Sequence, residues 1–155
     1  MPPTIRFQRL PGFDRDVPLP AYASEGAAAA DLRANLLAPD RRHGLNLDPG
    51  ARAQVPLGFA MAIPDRWEAQ IRARSGLALR EGLAIVNAPG TIDADYRGPV
   101  SVILVNLGQE AVRLRHGTRV AQMVVARVPR PIFREVEVLG GTARGPGGFG
   151  STGTD

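Results

Sequence analysis

The segment Thr4-Ile5-Arg6-Phe7-Gln8-Arg9-Leu10 alternates apolar and polar side chains with a period of two, the pattern of a strand with one face buried. Short apolar runs follow at close spacing: Leu45 to Leu47, Ala51 to Pro56, Phe59 to Ile63, Trp67 to Ala73, Leu83 to Val86, Val100 to Asn106, Ala111 to Leu114, Arg119 to Arg127 and Phe133 to Val138. Turn-forming residues separate several of them, among them Asp48-Pro49-Gly50, Ile63-Pro64-Asp65 and His116-Gly117-Thr118. Pro11, Pro18 and Pro20 give the stretch from Pro11 to Ala23 an extended, irregular path. The alanine-rich run Gly26 to Ala34 has helix propensity, but it is too short and too closely bracketed by breakers to stand as a helix, so it reads as a strand. No helix-length period occurs beyond a single turn near Ser75 to Arg80. The pattern therefore predicts an all-β sandwich or barrel with one short helix.

One stretch between two of these runs concentrates chemistry. Gly90-Thr91-Ile92-Asp93-Ala94-Asp95-Tyr96-Arg97-Gly98 lies between Leu83–Val86 and Val100–Val105, the place of a turn in a hairpin-like unit. In an extended conformation, Asp93, Asp95 and Arg97 share one face and Ile92, Ala94 and Tyr96 the other. Asp93 is either a general base or a turn-capping carboxylate. Asp95 is expected to pair with an arginine within the sheet. Tyr96 belongs either to the core or beneath a ring ligand.

Composition narrows the chemistry. The 155 residues make one domain by length, with no cysteine, two histidines (His43 and His116) and a formal charge of +4 in which every basic side chain is arginine. Without cysteine or lysine there are no disulfides, thiolate metal sites, P-loop lysines or Schiff-base chemistry, and a zinc hydrolase has too few ligands. The planar guanidinium fork suits phosphate oxygens, although coding bias would enrich arginine equally. Basic residues are spread along the chain rather than clustered with aromatics, which argues against nucleic acid as a partner. No run reaches membrane-spanning length, and Met1-Pro2-Pro3-Thr4-Ile5-Arg6 lacks the apolar core of a signal peptide, so neither a membrane partner nor export is expected and the reading is cytoplasmic.

Two further sites carry polar groups in suggestive places. Arg74-Ser75-Gly76, at a strand end, gathers a guanidinium, a hydroxyl and free amides into an anion cradle, or else Ser75 simply caps the helical turn. Gln122, inside the apolar strand Val120-Ala121-Gln122-Met123-Val124-Val125, needs either a backbone partner or a ligand. At Gly140 the composition breaks: Gly140 to Asp155 is glycine-rich, with Phe149 its one large apolar side chain, and cannot join a core. The chain thus divides into a body, 1–139, and a tail, 140–155, whose Arg144, Phe149, Gly150, Ser151 and Thr152 suit a lid. With neither a lysine nor a following helix, that tail is not a P-loop.

Five segments in order, Ala28-Ala29-Ala30-Asp31-Leu32-Arg33-Ala34, Arg74-Ser75-Gly76-Leu77-Ala78, Gly90 to Gly98 with Asn106-Leu107-Gly108, Gly117 to Val124, and Arg144 to Gly153, resemble the trimeric dUTP pyrophosphatase family. The resemblance implies a jelly-roll homotrimer with sites at subunit interfaces, each closed by a neighbour's tail. It further implies hydrolysis of dUTP to dUMP and pyrophosphate with Mg2+, which limits uracil in DNA and supplies dUMP for dTMP synthesis. Asp93 would then activate the attacking water and Tyr96 lie under the deoxyribose. Asn87 and the backbone of Gly90, Thr91 and Ile92 would read uracil, while Arg74, Ser75, Gly76 and Gln122 bind phosphates. Arg144 would be an arginine finger, Phe149 a cover over uracil, and Gly150, Ser151 and Thr152 contacts to the γ-phosphate. Asp31 and Asp95 would play supporting parts, and Mg2+ would be held by phosphates and water rather than by the protein. Two positions depart from the family pattern: Ala29 stands in place of a usual glycine and Pro99 in place of an acid. The same fold also serves dCTP deaminases and bifunctional enzymes, and a nucleotide-binding regulatory trimer is the non-catalytic alternative.

Overall fold

Period-two alternation is realised residue by residue in Pro99–Asn106, where Val100, Val102, Leu104 and Asn106 are buried and the residues between them are not. In the computed structural model, which describes residues 2–148, this segment is one of eleven strands. In chain order the elements are β1 (Arg6–Arg9), β2 (Ala21–Tyr22), β3 (Ala30–Arg33), α1 (Asp40–His43), β4 (Leu45–Leu47), β5 (Arg52–Ala62), β6 (Trp67–Arg72), α2 (Ser75–Glu81), β7 (Leu83–Ile85), β8 (Gly90–Ile92), β9 (Pro99–Asn106), β10 (Val112–Leu114) and β11 (Arg119–Arg127). They form a four-stranded sheet β1-β5-β9-β7, a five-stranded sheet β2-β3-β11-β6-β8 and the pair β10-β4, antiparallel throughout. One hydrophobic cluster draws on all three, from Val55 and Leu104 through Leu32, Ala69 and Val120 to Leu47 and Leu114. Among the described residues no helix is long and apolar enough to cross a membrane.

The architecture is all-β, as the alternation predicts, with four local differences. Ala51 to Pro56 and Phe59 to Ile63 are not two strands but one, β5, bent at Gly58, whose φ is +77°. There the register against β9 shifts between Pro56 and Ala60, and on its other edge the second half of β5 pairs with β1. A second helix exists: α1 is a single turn, too short for a period to register. Phe133 to Val138 forms no strand among the described residues, and its side chains stand exposed.

The fourth difference concerns Gly90 to Gly98. β7 does pair with β9, but the connection between them crosses sheets: Gly90–Ile92 is β8, which pairs with β6 at the edge of the five-stranded sheet. After Ile92 the chain turns, with the Tyr96 N–H donating to the Asp93 carbonyl at 3.2 Å. Asp93 and Asp95 therefore sit in a turn and do not share a strand face.

Candidate functional site

The middle of the five-stranded sheet builds one side of the site. Strand register sets Gln122 of β11 opposite Asp31 of β3 on one side and Arg72 of β6 on the other, a polar row on the outward face. Alternation puts Leu32, Ile71, Ala121 and Met123, their chain neighbours, into the core. Just beyond β6, α2 adds Ser75, Gly76 and Arg80. The resulting cleft, of about 640 Å³, gathers Asp31, Arg74, Ser75, Gly76 and Gln122, together with Arg72, Arg80 and Arg119. Asp31 is shared: Arg74 Nε lies 3.1 Å from Oδ1 and Arg119 Nη1 3.0 Å from Oδ2. One carboxylate thus fixes two guanidinium groups, and the cleft stays strongly positive. Gln122 donates from Nε2 to the Ala73 carbonyl at 2.9 Å, the backbone partner its partial burial requires, and it also lines the cleft. Ser75 is not the cap of α2; Arg74 occupies that position, no side chain caps the helix, and the Ser75 hydroxyl stays exposed.

Three of the lining arginines had no role assigned from sequence. Arg72 ends β6 two residues before Arg74, and Arg80 is four residues after Gly76 on α2, so spacing alone could have found both. Arg119 required knowledge that β11 pairs with β3.

A second patch lies around β8. Asn87, Gly90, Thr91, Ile92, Asp93, Asp95 and Tyr96 cluster there, and none of them lines the cleft. Gly90 is buried, and a Cβ on it would lie 3.3 Å from Asn87 Nδ2, so the Asn87 amide rests against that backbone. Ile92 is buried, Thr91 exposed. The carboxylates of Asp93 and Asp95 are exposed, with no hydrogen bond or ion pair among the described residues. Asp95 does not pair with an arginine; the nearby Arg97 instead donates to the Ala94 and Tyr96 carbonyls, at 2.6 and 2.7 Å. Tyr96 is not core: it is 44% exposed, its hydroxyl donates to the Pro99 carbonyl at 3.0 Å, and its ring lies over Gly98, where any Cβ would collide with it. A ring fixed by its hydroxyl and backed by glycine is a flat, rigid surface.

The described part of the tail meets neither patch. Arg144 is exposed and folds back on itself, Nε donating to the Gly147 carbonyl at 2.9 Å. Phe149, Gly150, Ser151 and Thr152 lie outside the described residues.

A half-buried network supports the turn that leads into Arg119. His116 Nδ1 accepts the Leu36 N–H at 3.1 Å, which places the ring proton on Nε2, 3.1 Å from Asp14 Oδ2. The Asp16 backbone N–H first, and His116 second, hold the Asp14 carboxyl below its ordinary range. Arg33 Nη1 donates to the Gly117 carbonyl at 2.8 Å, which pins the same turn.

A family model described as dUTPase matches residues 15–153. The chain is 56% identical over 152 residues to the deoxyuridine 5'-triphosphate nucleotidohydrolase of Roseobacter denitrificans, covering 98% of this chain and 97% of that one. It is 55% identical to the protein of the same name from Caulobacter vibrioides, over 96% of this chain and 94% of the relative. Among solved structures, a mutant Staphylococcus bacteriophage 80alpha dUTPase with dUpNHpp superposes with a TM-score of 0.84 at 21% identity, covering 97% of this chain and 99% of that one. A mutant dUTPase from phage phi11 of S. aureus, described with a coordinated structural Mg(II) ion, superposes with a TM-score of 0.75 at 18% identity, over 88% and 98% of the two chains.

Proposed function

The chain belongs to the dUTPase family and is a dUTP diphosphatase, and on that premise we propose that Asp93 activates the attacking water while the arginine-lined cleft holds the phosphates. The observation that carries this division is the separation of the two patches: the phosphate donors line one cleft and the carboxylate, amide and ring groups lie outside it. Asp93, exposed and without a partner among the described residues, is free to take a proton from water. The water oxygen bonds to the α-phosphorus, the bond to the bridging oxygen of the β-phosphate breaks, and pyrophosphate leaves. Guanidinium groups fixed in advance neutralise the charge that moves during this step.

Specificity follows from the second patch. The Asn87 amide against Gly90 offers a donor and an acceptor together, which match the uracil edge and mismatch cytosine, while Thr91 and Ile92 close the space a thymine methyl would need. Tyr96 supports the deoxyribose and leaves no room for a 2′-hydroxyl. Asp95 beside the turn and Asp31 beneath the arginines play supporting parts.

The donor set in the cleft suits a metal that arrives with the substrate. Asp31, the only lining carboxylate, already has both oxygens engaged by arginines, and among the described residues no three His, Asp or Glu side chains gather as a metal site. Mg2+ held by triphosphate oxygens and water fits that arrangement and supplies charge neutralisation there.

Two patches that must act on one substrate support a jelly-roll homotrimer, in which a neighbouring subunit brings the β8 patch to each cleft. Ile132, Phe133, Val138 and Leu139, each more than four-fifths exposed, give such an assembly apolar surface to cover. The body, 1–139, then carries the fold and the tail, 140–155, closes the site with Arg144 as an arginine finger, Phe149 over the base, and Gly150, Ser151 and Thr152 at the γ-phosphate. The cytoplasm is the proposed location. Replacing Asp93 tests the scheme: pyrophosphate release by Asp93→Asn should fall at least about 100-fold, and a variant as active as the parent would remove Asp93 from its role.

A further inference from the structure

Four guanidinium groups face the cleft, but only two have a carboxylate. Arg74 and Arg119 divide Asp31 between them. Arg72 and Arg80 have no ion pair among the described residues. Arg72 Nη2 donates to Gln70 Oε1 at 2.6 Å, and Gln70 Nε2 donates in turn to Glu68 Oε1 at 2.7 Å. These three side chains, two residues apart along β6, form a column that aims Arg72 into the cleft without cancelling its charge. Arg80 lies across the first turn of α2: a Cβ on Gly76 would come within 3.1 Å of Nη1 and 3.3 Å of Nη2. The absence of a side chain at position 76 is what lets this guanidinium settle beside Ser75 and Arg74.

Like charges gathered at one cleft repel, and the repulsion is relieved when a polyanion binds. A monophosphate leaves most of that charge unmatched; two further phosphates match it. Cleavage also transfers negative charge to the departing pyrophosphate, where unpaired guanidinium groups act most strongly. We propose that Arg72 and Arg80 grip the pyrophosphate half of the substrate and stabilise it as the leaving group, a reading that rests on the cleft being the phosphate site.

Inhibition of the full-length enzyme by inorganic pyrophosphate and by dUMP, both with magnesium present, separates the two halves of the substrate. Arg72→Gln and Arg80→Gln keep hydrogen-bonding capacity and remove charge. Each should weaken pyrophosphate inhibition about tenfold, lower kcat, and leave dUMP inhibition unchanged; Arg80→Lys should recover part of the loss. Unchanged pyrophosphate inhibition in the double variant would overturn the proposal, as would an equal loss for dUMP. Arg74→Gln serves as the reference. If it weakens pyrophosphate binding while the double variant does not, only this inference fails; if it too has no effect, the assignment of the cleft to phosphates fails with it.

Discussion

Tyr96 is held between two constraints, its hydroxyl on the Pro99 carbonyl and its ring against Gly98, and in the proposed pose together they would decide where a sugar can lie. The hydroxyl fixes the ring's direction; the missing side chain at position 98 fixes its depth. If Tyr96 carries the sugar as proposed, discrimination belongs as much to the glycine as to the tyrosine. Gly98→Ala would displace the ring by about the width of a methyl group and spoil the fit by which, in the proposed pose, a 2′-hydroxyl is excluded. The preference for dUTP over UTP, taken as a ratio of kcat/KM values, should shrink about tenfold or more, since excluding or admitting one group is worth roughly 1–3 kcal/mol. An unaltered ratio would mean that the ring does not set the sugar pocket. Asp31 shows the same economy at another position. Its two oxygens orient Arg74 and Arg119 together, so one short side chain sets the direction of two long ones.

At the scale of elements, β5 serves two neighbours because Gly58 bends it, and Asn35 occupies the space beneath the bend. Asn35 is buried, accepting the Asp14 N–H at 3.0 Å and donating to the Asp14 carbonyl at 2.8 Å. Gly58→Ala would force a Cβ into a positive φ and displace that amide, with an expected loss of about 2 kcal/mol or more, read as a lower urea midpoint. Asp14, whose carboxylate accepts first from the Asp16 N–H and then from His116, makes stability depend on acid. Because the folded carboxyl titrates below its ordinary value of 3.8, its contribution is present above that value and is lost as pH falls through the folded one. Urea midpoints should fall more steeply below about pH 4 in the parent than in Asp14→Asn; parallel curves would show that Asp14 carries no linkage.

These elements also show what could be read beforehand. β1 announces itself by alternation, and β9 and β11 as short apolar runs between turns. The bulge in β5 does not, since Leu57-Gly58-Phe59 looks like a break until Asn35 is known to lie under it. Likewise, the two aspartates of the turn could be given a common face only while the segment was taken as extended, and the Tyr96-to-Asp93 hydrogen bond ends the strand before them. Arg119 joined the site only through the register of β11 on β3, a pairing of elements far apart in sequence.

For the whole molecule, the question is whether one chain suffices, which the proposed shared site denies. The Val128 N–H, donating to the Arg66 carbonyl at 2.9 Å, is the last backbone hydrogen bond that ties the C-terminal segment to the body among the described residues. From Pro129 to Leu139 the chain is exposed and carries large apolar side chains, and beyond it lies Arg144. Two truncations separate the work of these parts. Ending the chain after Ala143 removes Arg144, the proposed arginine finger, and the groups after it but keeps the apolar arm, so the proposed trimer and dUMP binding should persist while turnover falls about 10³-fold. Ending it after Val128 removes the arm as well; without that surface the protein should sediment as a monomer and lose nucleotide binding too, because the cleft and the β8 patch would no longer meet. If that shorter chain turns over dUTP as a monomer, a single chain holds a complete site and the shared-site arrangement is wrong. If it remains a trimer without turnover, the contacts that assemble it lie in the body, and the arm serves only to deliver the lid.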